Sequence, residues 1–525
     1  MKILITDPIE QSCLDILANN KFIVDHRPGI SAIEICTIIG SYDALIVRSG
    51  TKVTSEIINA GSSLKIIGRA GTGVDNIDVQ SATRKGIIVM NTPGGNTIST
   101  AEHTISMILA LSRNIPQAYL SLLSGKWERK KFQGVEVFGK TLGLIGLGKI
   151  GREVAQRVQG FGMKVIGYDP IIGDSLATEL NIELVTLPQL YSRSDFISVH
   201  TPLNDETKNL INSNSLALCK KGVRIINCAR GGIVDEKALL VALQSGQVAG
   251  AALDVFEEEP PKNNPLLNLP NVIATPHLGA ATEEAQEKVA VQIAEQIIKA
   301  LNEEIILGAV NAAALRFGIP EEISNFTLLG EKLGALTEQL LIGKLKEITI
   351  ELRGTLLHKY SELLKVSVLR GLFSRLMSEP VNYINAPVIA ENMGIHLSEK
   401  KDTESGNFAQ LISVHFKTDK EDHIISGTIV GTSQIKLVRF DSFYIESQLE
   451  GTMLFYKNID KPGILAHVSK ILAENNINIA GVALGRTDIG KEALTIIGVD
   501  SKLPILLLSN LTDFDGILNV KVVEL

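Results

Sequence analysis

Cysteine is scarce in this chain, and positive charge is not in excess. Four cysteines occur among 525 residues, none of them beyond Cys228, and no pair has Cys-x-x-Cys spacing. This usage argues against a disulfide scaffold and indicates buried or free thiols in a reducing compartment; no motif predicts a metal site. The formal net charge of −7 argues against a general nucleic-acid binder, because such proteins carry basic patches.

Long apolar runs are also missing. No uninterrupted run approaches the roughly eighteen residues that a membrane span needs, so no membrane association is expected. Residues 1–7 already resemble a strand, which leaves no room for a signal peptide. The composition, 45% hydrophobic and 21% charged, is that of a globular protein, and we expect it in the cytoplasm. At roughly 100–200 residues per domain, the length predicts three or four domains.

A glycine motif is the strongest local signal in the chain. An apolar run over residues 142–145 leads into Gly146, Gly148 and Gly151 at Gly-x-Gly-x-x-Gly spacing, and helical periodicity follows at once. Such a strand, turn and helix present free N–H groups to a pyrophosphate. Asp169, about twenty residues further on, would accept hydrogen bonds from the ribose and repel a 2′-phosphate, which predicts NAD over NADP. A purely structural glycine turn is the alternative.

The first ninety-five residues alternate short apolar runs with amphipathic stretches: KILIT, FIV, DALIVRS, LKIIGRAG and GIIVMN. This alternation predicts a parallel sheet covered by helices, without a glycine fingerprint of its own. In such sheets ligands lie beyond the carboxyl ends of the strands. We therefore expect Arg48, Ser49, Arg69 and Gly71 to bind a small anionic group, with two solvated arginines as the alternative.

Two further segments precede the glycine motif. Residues 97–114 show helical periodicity, and we expect this helix to cross from the first domain into the second. Residues 127–132 place the only tryptophan beside three cations, among them Arg129 and Lys130. This charged run is either a solvated face or a contact with a partner subunit or an anionic substrate.

Polar residues follow each predicted strand of the nucleotide-binding part. They are Thr201, Arg230, Asp254, Glu259 and His277, and one parallel sheet would bring them to a single edge. Oxidation of a hydroxyl to a carbonyl requires a base for the O–H proton while hydride leaves to NAD⁺. A histidine with a carboxylate partner can be that base, and an arginine can bind a substrate carboxylate with two hydrogen bonds. Taken alone, however, His277 could be structural, and Glu259 could be part of a solvated acidic run.

Three segments carry a family resemblance. NCARGGIVDE, LDVFEEEP and TPHLGA resemble the signature segments of the D-isomer-specific 2-hydroxyacid dehydrogenases. The resemblance implies that Arg230, Glu259 and His277 are catalytic, and that Arg230 and His277 contact the substrate together with the anion-binding residues above. With the glycine motif, the expected NAD contacts are Thr72, Gly146, Gly148, Lys149, Ile150, Gly151, Asp169, Thr201, Cys228, Ala229, Arg230, Asp254, His277, Gly279 and Ala280.

The resemblance also implies a discontinuous first domain. Residues 283–303 have acids in the first turn and apolar residues at positions 289, 293, 297 and 301, which predicts a long helix that returns the chain to that domain. The expected fold class is α/β, with a Rossmann-type NAD-binding domain (97–282) inserted in a flavodoxin-like substrate domain (1–96 and 283–310). An α+β intervening domain (311–449) and a ferredoxin-like βαββαβ ACT domain (450–525) would follow.

The C-terminal 220 residues go beyond a simple dehydrogenase. Residues 378–386, SEPVNYINA, resemble the intervening domain of long-form phosphoglycerate dehydrogenases, within a mixture of helical and strand-like runs that includes LVRFDSFYI. Residues 451–525 predict strand, helix, strand, strand, helix, strand, with Pro462 opening the first helix. The apolar residues of that helix are expected to share one face; they are Ile464, Leu465, Val468, Ile471 and Leu472. The segment DKPGIL resembles an ACT domain, which implies an amino-acid effector, L-serine, at Asn458, Asp460 and Asn478. A dimerising module without a ligand is the alternative.

From first residue to last, the chain resembles the long-form phosphoglycerate dehydrogenase family. The resemblance implies NAD-dependent oxidation of 3-phospho-D-glycerate to 3-phosphohydroxypyruvate, the entry step of serine biosynthesis, by a homo-oligomer (a dimer or a tetramer). One alternative is another D-2-hydroxyacid dehydrogenase or 2-oxoacid reductase, whose chain would end near residue 315. An alternative from another class is an NAD-sensing corepressor-like scaffold, which would carry disordered extensions.

Overall fold

The computed structural model describes residues 1–302, 308–315, 319–377, 380–402, 407–512 and 514–525. Residue 303 of the expected helix over 283–303 and residues 378–379 of the segment SEPVNYINA lie outside the described residues, as do residues 304–307, 316–318, 403–406 and 513. The chain divides into two compact units. The first contains Met1–Pro8, Leu14–Asn91 and Ile293–Leu525, and the second contains Ile9–Cys13 and Thr92–Gln292.

A five-stranded parallel sheet opens the first unit. Its strand order is β2-β1-β3-β4-β5, the flavodoxin-like arrangement of the expected substrate domain, and its strands are parallel as the alternating apolar runs predict. β3 is buried along its whole length because helices cover both faces of such a sheet. The strands are β1 (Lys2–Ile5), β2 (Ile23–His26), β3 (Ala44–Val47), β4 (Ile66–Arg69) and β5 (Ile88–Asn91). The helices are α1 (Gln11–Asn19), α2 (Ala32–Ile38), α3 (Ser55–Ala60) and α4 (Val79–Arg84).

The second unit contains a seven-stranded parallel sheet of order β12-β11-β10-β9-β6-β7-β8, the doubly wound Rossmann arrangement. The strand order reverses at β6, so its carboxyl end is the topological switch point where ligands bind. The strands are β6 (Thr141–Ile145), β7 (Lys164–Tyr168), β8 (Glu183–Leu184), β9 (Phe196–Val199), β10 (Val223–Asn227), β11 (Val248–Leu253) and β12 (Val272–Ala274). The helices of this part of the chain are α5 (Thr97–Arg113), α6 (Ile115–Leu123), α7 (Lys149–Gln159), α8 (Asp174–Glu179), α9 (Leu187–Arg193), α10 (Ser213–Leu218), α11 (Glu236–Gln244) and α12 (Glu283–Leu301).

A six-stranded sheet of order β14-β13-β15-β16-β17-β18 follows in the first unit. The run LVRFDSFYI is not one strand, as predicted, but a hairpin, because the chain turns at Asp441, whose φ of 52° is left-handed. The strands are β13 (Leu345–Arg353), β14 (His396–Asp402), β15 (Leu411–Thr418), β16 (Asp422–Val430), β17 (Gln434–Phe440) and β18 (Phe443–Gln448). The helices are α13 (Glu321–Leu340), α14 (Thr355–Lys359), α15 (Ser361–Phe373) and α16 (Ala386–Asn392).

The last segment has the predicted βαββαβ order and the ferredoxin-like sheet order β20-β21-β19-β22. Two details of its first helix differ from the prediction. Helix α17 begins after Gly463, whose φ of 99° breaks the helical backbone, rather than at Pro462, and Leu465 is exposed instead of sharing the buried face. The elements are β19 (Thr452–Ile459), α17 (Ile464–Glu474), β20 (Ile479–Arg486), β21 (Glu492–Val499), α18 (Ile505–Thr512) and β22 (Ile517–Glu524).

The expected α/β fold class is confirmed, including the Rossmann-type and ferredoxin-like parts. The four cysteines are free thiols, and Cys13, Cys219 and Cys228 are buried. Among the described residues, no helix combines the length and the apolar composition that a membrane crossing would need.

Candidate active site

The glycine motif forms the turn between β6 and α7. Gly146 has a φ of 95°, and a Cβ on it would lie 2.5 Å from the carbonyl oxygen of His200. A Cβ on Gly151 would overlap the carbonyl oxygen of Gly146, whereas a Cβ on Gly148 would meet no atom within 4 Å. The first and third glycines therefore allow the turn and the close packing of helix on strand. The second glycine faces open space, as required where backbone approaches a pyrophosphate.

Two polar features at this turn fit a dinucleotide. Gly148 is the N-cap of α7 and, in the described part of the chain, no side chain caps the helix there, so its first N–H groups remain for a ligand. Thr201, which follows β9 beside Gly146, buries its hydroxyl oxygen without a hydrogen-bond partner among the described residues. A buried polar atom of this kind is costly unless a ligand or water satisfies it. The residues present therefore fit NAD.

Asp169 lies directly after β7, at the edge of the same turn. Its Oδ2 accepts a hydrogen bond from the Leu147 amide at 2.8 Å, and its Oδ1 accepts from the amides of Ile171 (2.9 Å) and Ile172 (3.1 Å). The carboxylate is thus fixed by backbone amides next to the glycine turn. Oδ2 accepts one of these three hydrogen bonds and can accept a second, so the ribose contact predicted for Asp169 stays available.

The structure brings two of the predicted catalytic residues together. His277 Nδ1 and Glu259 Oε2 are 2.8 Å apart, and the side chains are 47% and 38% exposed. Burial raises the pKa of Glu259, but the hydrogen bond and charge of His277, the Phe256 amide and the charge of Arg230 outweigh it, so the pKa is lowered. Glu259 is therefore ionised at neutral pH. A fixed carboxylate on Nδ1 orients the ring and leaves Nε2 as the nitrogen for proton exchange.

Arg230 lies on the loop after β10, and that loop is closely packed. The buried Asn227 donates from Nδ2 to the Arg230 carbonyl oxygen at 2.8 Å and accepts the Ala229 amide at 3.0 Å. A Cβ on Gly231 would overlap the carbonyl oxygen of Phe256. Only glycine at position 231 therefore lets the arginine loop lie directly against the segment that leads to Glu259.

Asp254 organises the loop that carries His277. It is fully buried, and it accepts hydrogen bonds from the Thr275 hydroxyl (2.6 Å), the Leu278 amide (2.7 Å) and the Gly279 amide (2.8 Å). His103 Nε2 lies 3.2 Å from Asp254 Oδ1. These contacts hold His277 in a left-handed conformation (φ 55°) that costs on the order of 1–3 kcal/mol. Asp254 thus stabilises the conformation of the loop that carries His277. The sequence analysis predicted only a cofactor contact for Asp254.

Three supporting residues were not identified from the sequence: Asn227, His103 and Thr275. Asn227 opens the segment NCARGG, and an asparagine that ends an apolar strand is a usable signal, because its side chain readily bonds nearby backbone. His103 is remote in sequence, and only folding brings it to Asp254. The remaining predicted cofactor residues of this unit lie at the start of α7 (Lys149 and Ile150), directly after β10 (Cys228 and Ala229) and on the loop after β12 (Gly279 and Ala280). Burial raises the pKa of the Cys228 thiol to about 12.

The predicted anion-binding residues lie at one edge of the first sheet. Val47 and Arg69 are paired in register, so the loops that begin at Arg48 and after Arg69 are neighbours. Arg48 Nη1 donates to the Pro8 carbonyl oxygen at 3.0 Å, and Arg69 donates to the Gly73 carbonyl oxygen. Ser49 is exposed; Gly71 packs next to the Arg69 guanidinium, and Asn91 Nδ2 donates to the Thr72 carbonyl oxygen at 2.5 Å.

The three predicted effector residues of the ACT segment bond to different partners. Asn458 is buried on β19, and its Nδ2 donates to the Ile459 carbonyl oxygen at 2.8 Å. Asp460 accepts from Arg486 Nη1 (3.1 Å), and Asn478 Nδ2 donates to Asp500 Oδ2 (2.5 Å). All of these hydrogen bonds run between residues of the same segment.

Three family models match successive parts of the chain. The NAD binding domain of the D-isomer specific 2-hydroxyacid dehydrogenases matches residues 105–279, the D-3-phosphoglycerate dehydrogenase intervening domain matches residues 322–441, and the ACT domain matches residues 452–514. A D-3-phosphoglycerate dehydrogenase of Synechocystis is 44% identical over 530 residues, covering 100% of this chain and 95% of that protein. The chain belongs to the D-3-phosphoglycerate dehydrogenase family. A second relative of that name, from Methanocaldococcus jannaschii, is 42% identical over the full length of both chains.

A solved structure is similar to the dehydrogenase part of the chain. D-lactate dehydrogenase from Aquifex aeolicus, complexed with NAD and lactic acid, is 28% identical with a TM-score of 0.53, covering 58% of this chain and 96% of that chain. Together with the glycine turn, these relatives show that this family member is an NAD-dependent oxidoreductase.

Replacing Asp254 by asparagine is expected to lower stability by about 1–3 kcal/mol at neutral pH, because the new amide group cannot accept from a buried N–H. Burial raises the pKa of Asp254, but the hydrogen bonds of His103, Thr275 and Leu278 outweigh it, so the pKa lies below its ordinary value of 3.8. The stabilisation is therefore present above pH 3.8 and is lost as the pH falls through the native pKa.

Thermal unfolding from pH 7 to pH 3 measures this effect, with exposed Asp205→Asn as the control. We expect the difference in Tm between the wild type and Asp254→Asn to shrink below about pH 4. A difference that stays constant over this range would contradict a role for the ionised carboxylate.

Proposed function

We propose that this chain catalyses NAD-dependent oxidation of 3-phospho-D-glycerate to 3-phosphohydroxypyruvate, the first step of serine biosynthesis. The observation that carries the chemistry is the His277–Glu259 pair, 2.8 Å apart on neighbouring loops of the Rossmann sheet. The relatives named above support the substrate, because they match the chain from end to end, including the extension that a simple 2-hydroxyacid dehydrogenase lacks.

Each catalytic residue has a separate task in this proposal. Nε2 of His277 takes the hydroxyl proton of the substrate, and the ionised Glu259 stabilises the imidazolium that results. Arg230 binds the substrate carboxylate and polarises the reacting oxygen. Bound NAD⁺ supplies the hydride acceptor. In the reverse direction, His277 returns the proton to the carbonyl oxygen.

The cofactor would be held mainly by backbone. The amides after Gly148 bind the pyrophosphate, Asp169 binds the adenosine ribose, and the hydroxyl of Thr201 supplies a side-chain hydrogen bond. The other residues proposed as NAD contacts are Thr72, Gly146, Lys149, Ile150, Gly151, Cys228, Ala229, Arg230, Asp254, His277, Gly279 and Ala280. For Asp254, whose oxygens already accept three loop donors, the contribution would be through the loop it braces.

The substrate phosphate would be bound by the first sheet. Arg48 and Arg69 lie on neighbouring loops, and a phosphate accepts several charge-assisted hydrogen bonds from such groups. Ser49 and the amide of Gly71 complete the proposed contacts. Together with Arg230 and His277 they form the proposed substrate-contact set.

Two further features, an oligomer interface and an effector site, extend the proposal. Apolar side chains on and near α6, including Tyr119, Leu120, Leu123 and Trp127, are more than half exposed, which supports a homo-oligomer. A monomeric mass in light scattering would contradict the proposed homo-oligomer.

The ACT segment would bind L-serine at Asn458, Asp460 and Asn478, as a ligand that favours one conformation of the enzyme. The domain boundaries and the cytoplasmic location expected from the sequence stay predictions.

The proposed reaction is tested by NADH formation with a panel of D-2-hydroxy acids, with and without L-serine. We expect 3-phosphoglycerate to have the highest kcat/KM, and we expect serine to inhibit the wild type but not Asn478→Ala. Rapid turnover of lactate or glycerate without turnover of phosphoglycerate would overturn the substrate assignment. Equal inhibition of both proteins by serine would overturn the effector site alone.

A further inference from the structure

Asp7 is a buried carboxylate outside the catalytic residues. It follows β1 at the carboxyl edge of the first sheet and is only 5% exposed. Its Oδ2 accepts hydrogen bonds from the backbone amides of Arg48 (2.5 Å) and Thr51 (3.1 Å), and its Oδ1 accepts from the Thr51 hydroxyl at 2.8 Å. All three donors belong to the loop that carries Arg48.

The same loop is held from its other side by Asn76. The Nδ2 of Asn76 donates to the carbonyl oxygens of Arg48 and Thr51, each at 2.7 Å. The N–H and the C=O of Arg48 are therefore both bonded to buried or half-buried side chains. A Cβ on Gly50 would lie 2.7 Å from Asp7 Oδ1, so the loop also lies directly against the carboxylate.

Burial of a carboxylate at this position lowers stability unless its hydrogen bonds offset the lost hydration. Burying an ionised group costs several kcal/mol, which only well-aligned donors offset. The donors here are mostly backbone amides, which an uncharged side chain would bind more weakly. The ionised group therefore fixes the loop conformation more firmly than packing alone would.

We propose that Asp7 is a positioning residue for phosphate recognition, acting through Arg48. It orients the backbone from which the guanidinium extends, while the Pro8 carbonyl oxygen directs the guanidinium itself at 3.0 Å. This inference rests on the proposed role of Arg48 as a phosphate ligand. A fixed arginine binds a phosphate more tightly than a mobile one, because less side-chain freedom is lost on binding.

Asp7→Asn tests the inference in the full-length enzyme. The amide has one donor group in place of an acceptor and carries no charge. If its oxygen accepts the Arg48 and Thr51 amides, the Thr51 hydroxyl loses its acceptor, and in the flipped orientation both loop amides lose theirs. We expect the KM for 3-phosphoglycerate to rise by about tenfold or more, while the KM for NAD⁺ changes little. The preference for 3-phosphoglycerate over D-glycerate, measured as a ratio of kcat/KM values, should fall by a similar factor, which general loss of structure would not produce.

Two further variants keep the test decisive. Thr51→Val removes the hydroxyl that donates to Asp7 and that also contacts the Thr6 hydroxyl at 2.8 Å, and it should raise the same KM. Thr51→Ser retains the hydroxyl and should keep the wild-type KM. Asp43→Asn is the matched control, since Asp43 also accepts a backbone amide, that of Lys2 at 2.8 Å, but lies before β3 at the opposite edge of the sheet. It should leave the KM for 3-phosphoglycerate unchanged.

Arg48→Met separates this inference from the proposed function. If Arg48→Met leaves the KM for 3-phosphoglycerate unchanged, the phosphate role of Arg48 is wrong. If Arg48→Met raises that KM but folded Asp7→Asn and Thr51→Val do not, the positioning role of Asp7 is wrong and the role of Arg48 stands. In the double variant we expect Asp7→Asn to add little to Arg48→Met, because both act on one contact.

Discussion

Replacing His277 by alanine is expected to lower kcat by about 10²–10⁴-fold, the usual contribution of a general acid–base residue. The KM for NAD⁺ should change little, because the expected pyrophosphate and ribose contacts come from the glycine turn and Asp169. The physical reason is the 2.8 Å contact between His277 Nδ1 and Glu259 Oε2, which leaves Nε2 to exchange the substrate proton. Stopped-flow hydride transfer and steady-state kinetics at saturating NAD⁺ measure the effect.

His415→Ala is the matched control for this variant. His415 also forms a close pair with a carboxylate, 2.5 Å from Asp422 Oδ1, and its side chain is 49% exposed against 47% for His277. It lies on β15, in the six-stranded sheet. We expect His415→Ala to retain wild-type kcat. A near wild-type kcat in His277→Ala would show that the proposed proton transfer is wrong.

Replacing Asp169 by asparagine is expected to reduce the preference for NAD over NADP by about 100-fold, equivalent to about 2.7 kcal/mol. Two effects act together. The negative charge that would repel a 2′-phosphate is removed. In addition, one of the two oxygens that accept hydrogen bonds from the Leu147, Ile171 and Ile172 amides is replaced by an NH2 group, which cannot accept. The KM for NAD⁺ should therefore rise while activity with NADP⁺ becomes measurable.

The ratio of kcat/KM values for the two cofactors is the measurement, at fixed ionic strength because the repulsion is screened by salt. Glu179→Gln, an exposed acid at the end of α8, serves as the control for loss of one negative charge. We expect its cofactor ratio to match the wild type. An unchanged ratio in Asp169→Asn would mean that this carboxylate only braces the glycine turn.

The sequence alone determined the features that depend on local chain geometry. The Gly-x-Gly-x-x-Gly spacing predicted the turn because Gly146 and Gly151 occupy positions that no larger residue can take. Alternating apolar runs predicted both parallel sheets, since strands buried on two faces are continuously hydrophobic. Arg230, Glu259 and His277 could be proposed because each follows such a strand, and strand ends meet at one edge.

Tertiary structure decided which residues support the site. Asp254 accepts donors from Thr275, Leu278 and Gly279, and lies beside His103, about 150 residues earlier in the chain; no spacing rule relates residues so far apart. The turn at Asp441 lies within a strand-like run. Aspartate tolerates the left-handed region, but the apolar residues on both sides of it favour one continuous strand, and only the pairing of β17 with β18 shows the turn.

The same holds for Asp7, which in the sequence is one acid after a strand. Its three donors, on Arg48 and Thr51, lie more than forty residues further along the chain, and the parallel pairing of β1 with β3 brings them beside it. Local periodicity can place a polar residue at the end of a strand. Which partners it meets there depends on how the strands are ordered in the sheet, because only that order brings distant loops together.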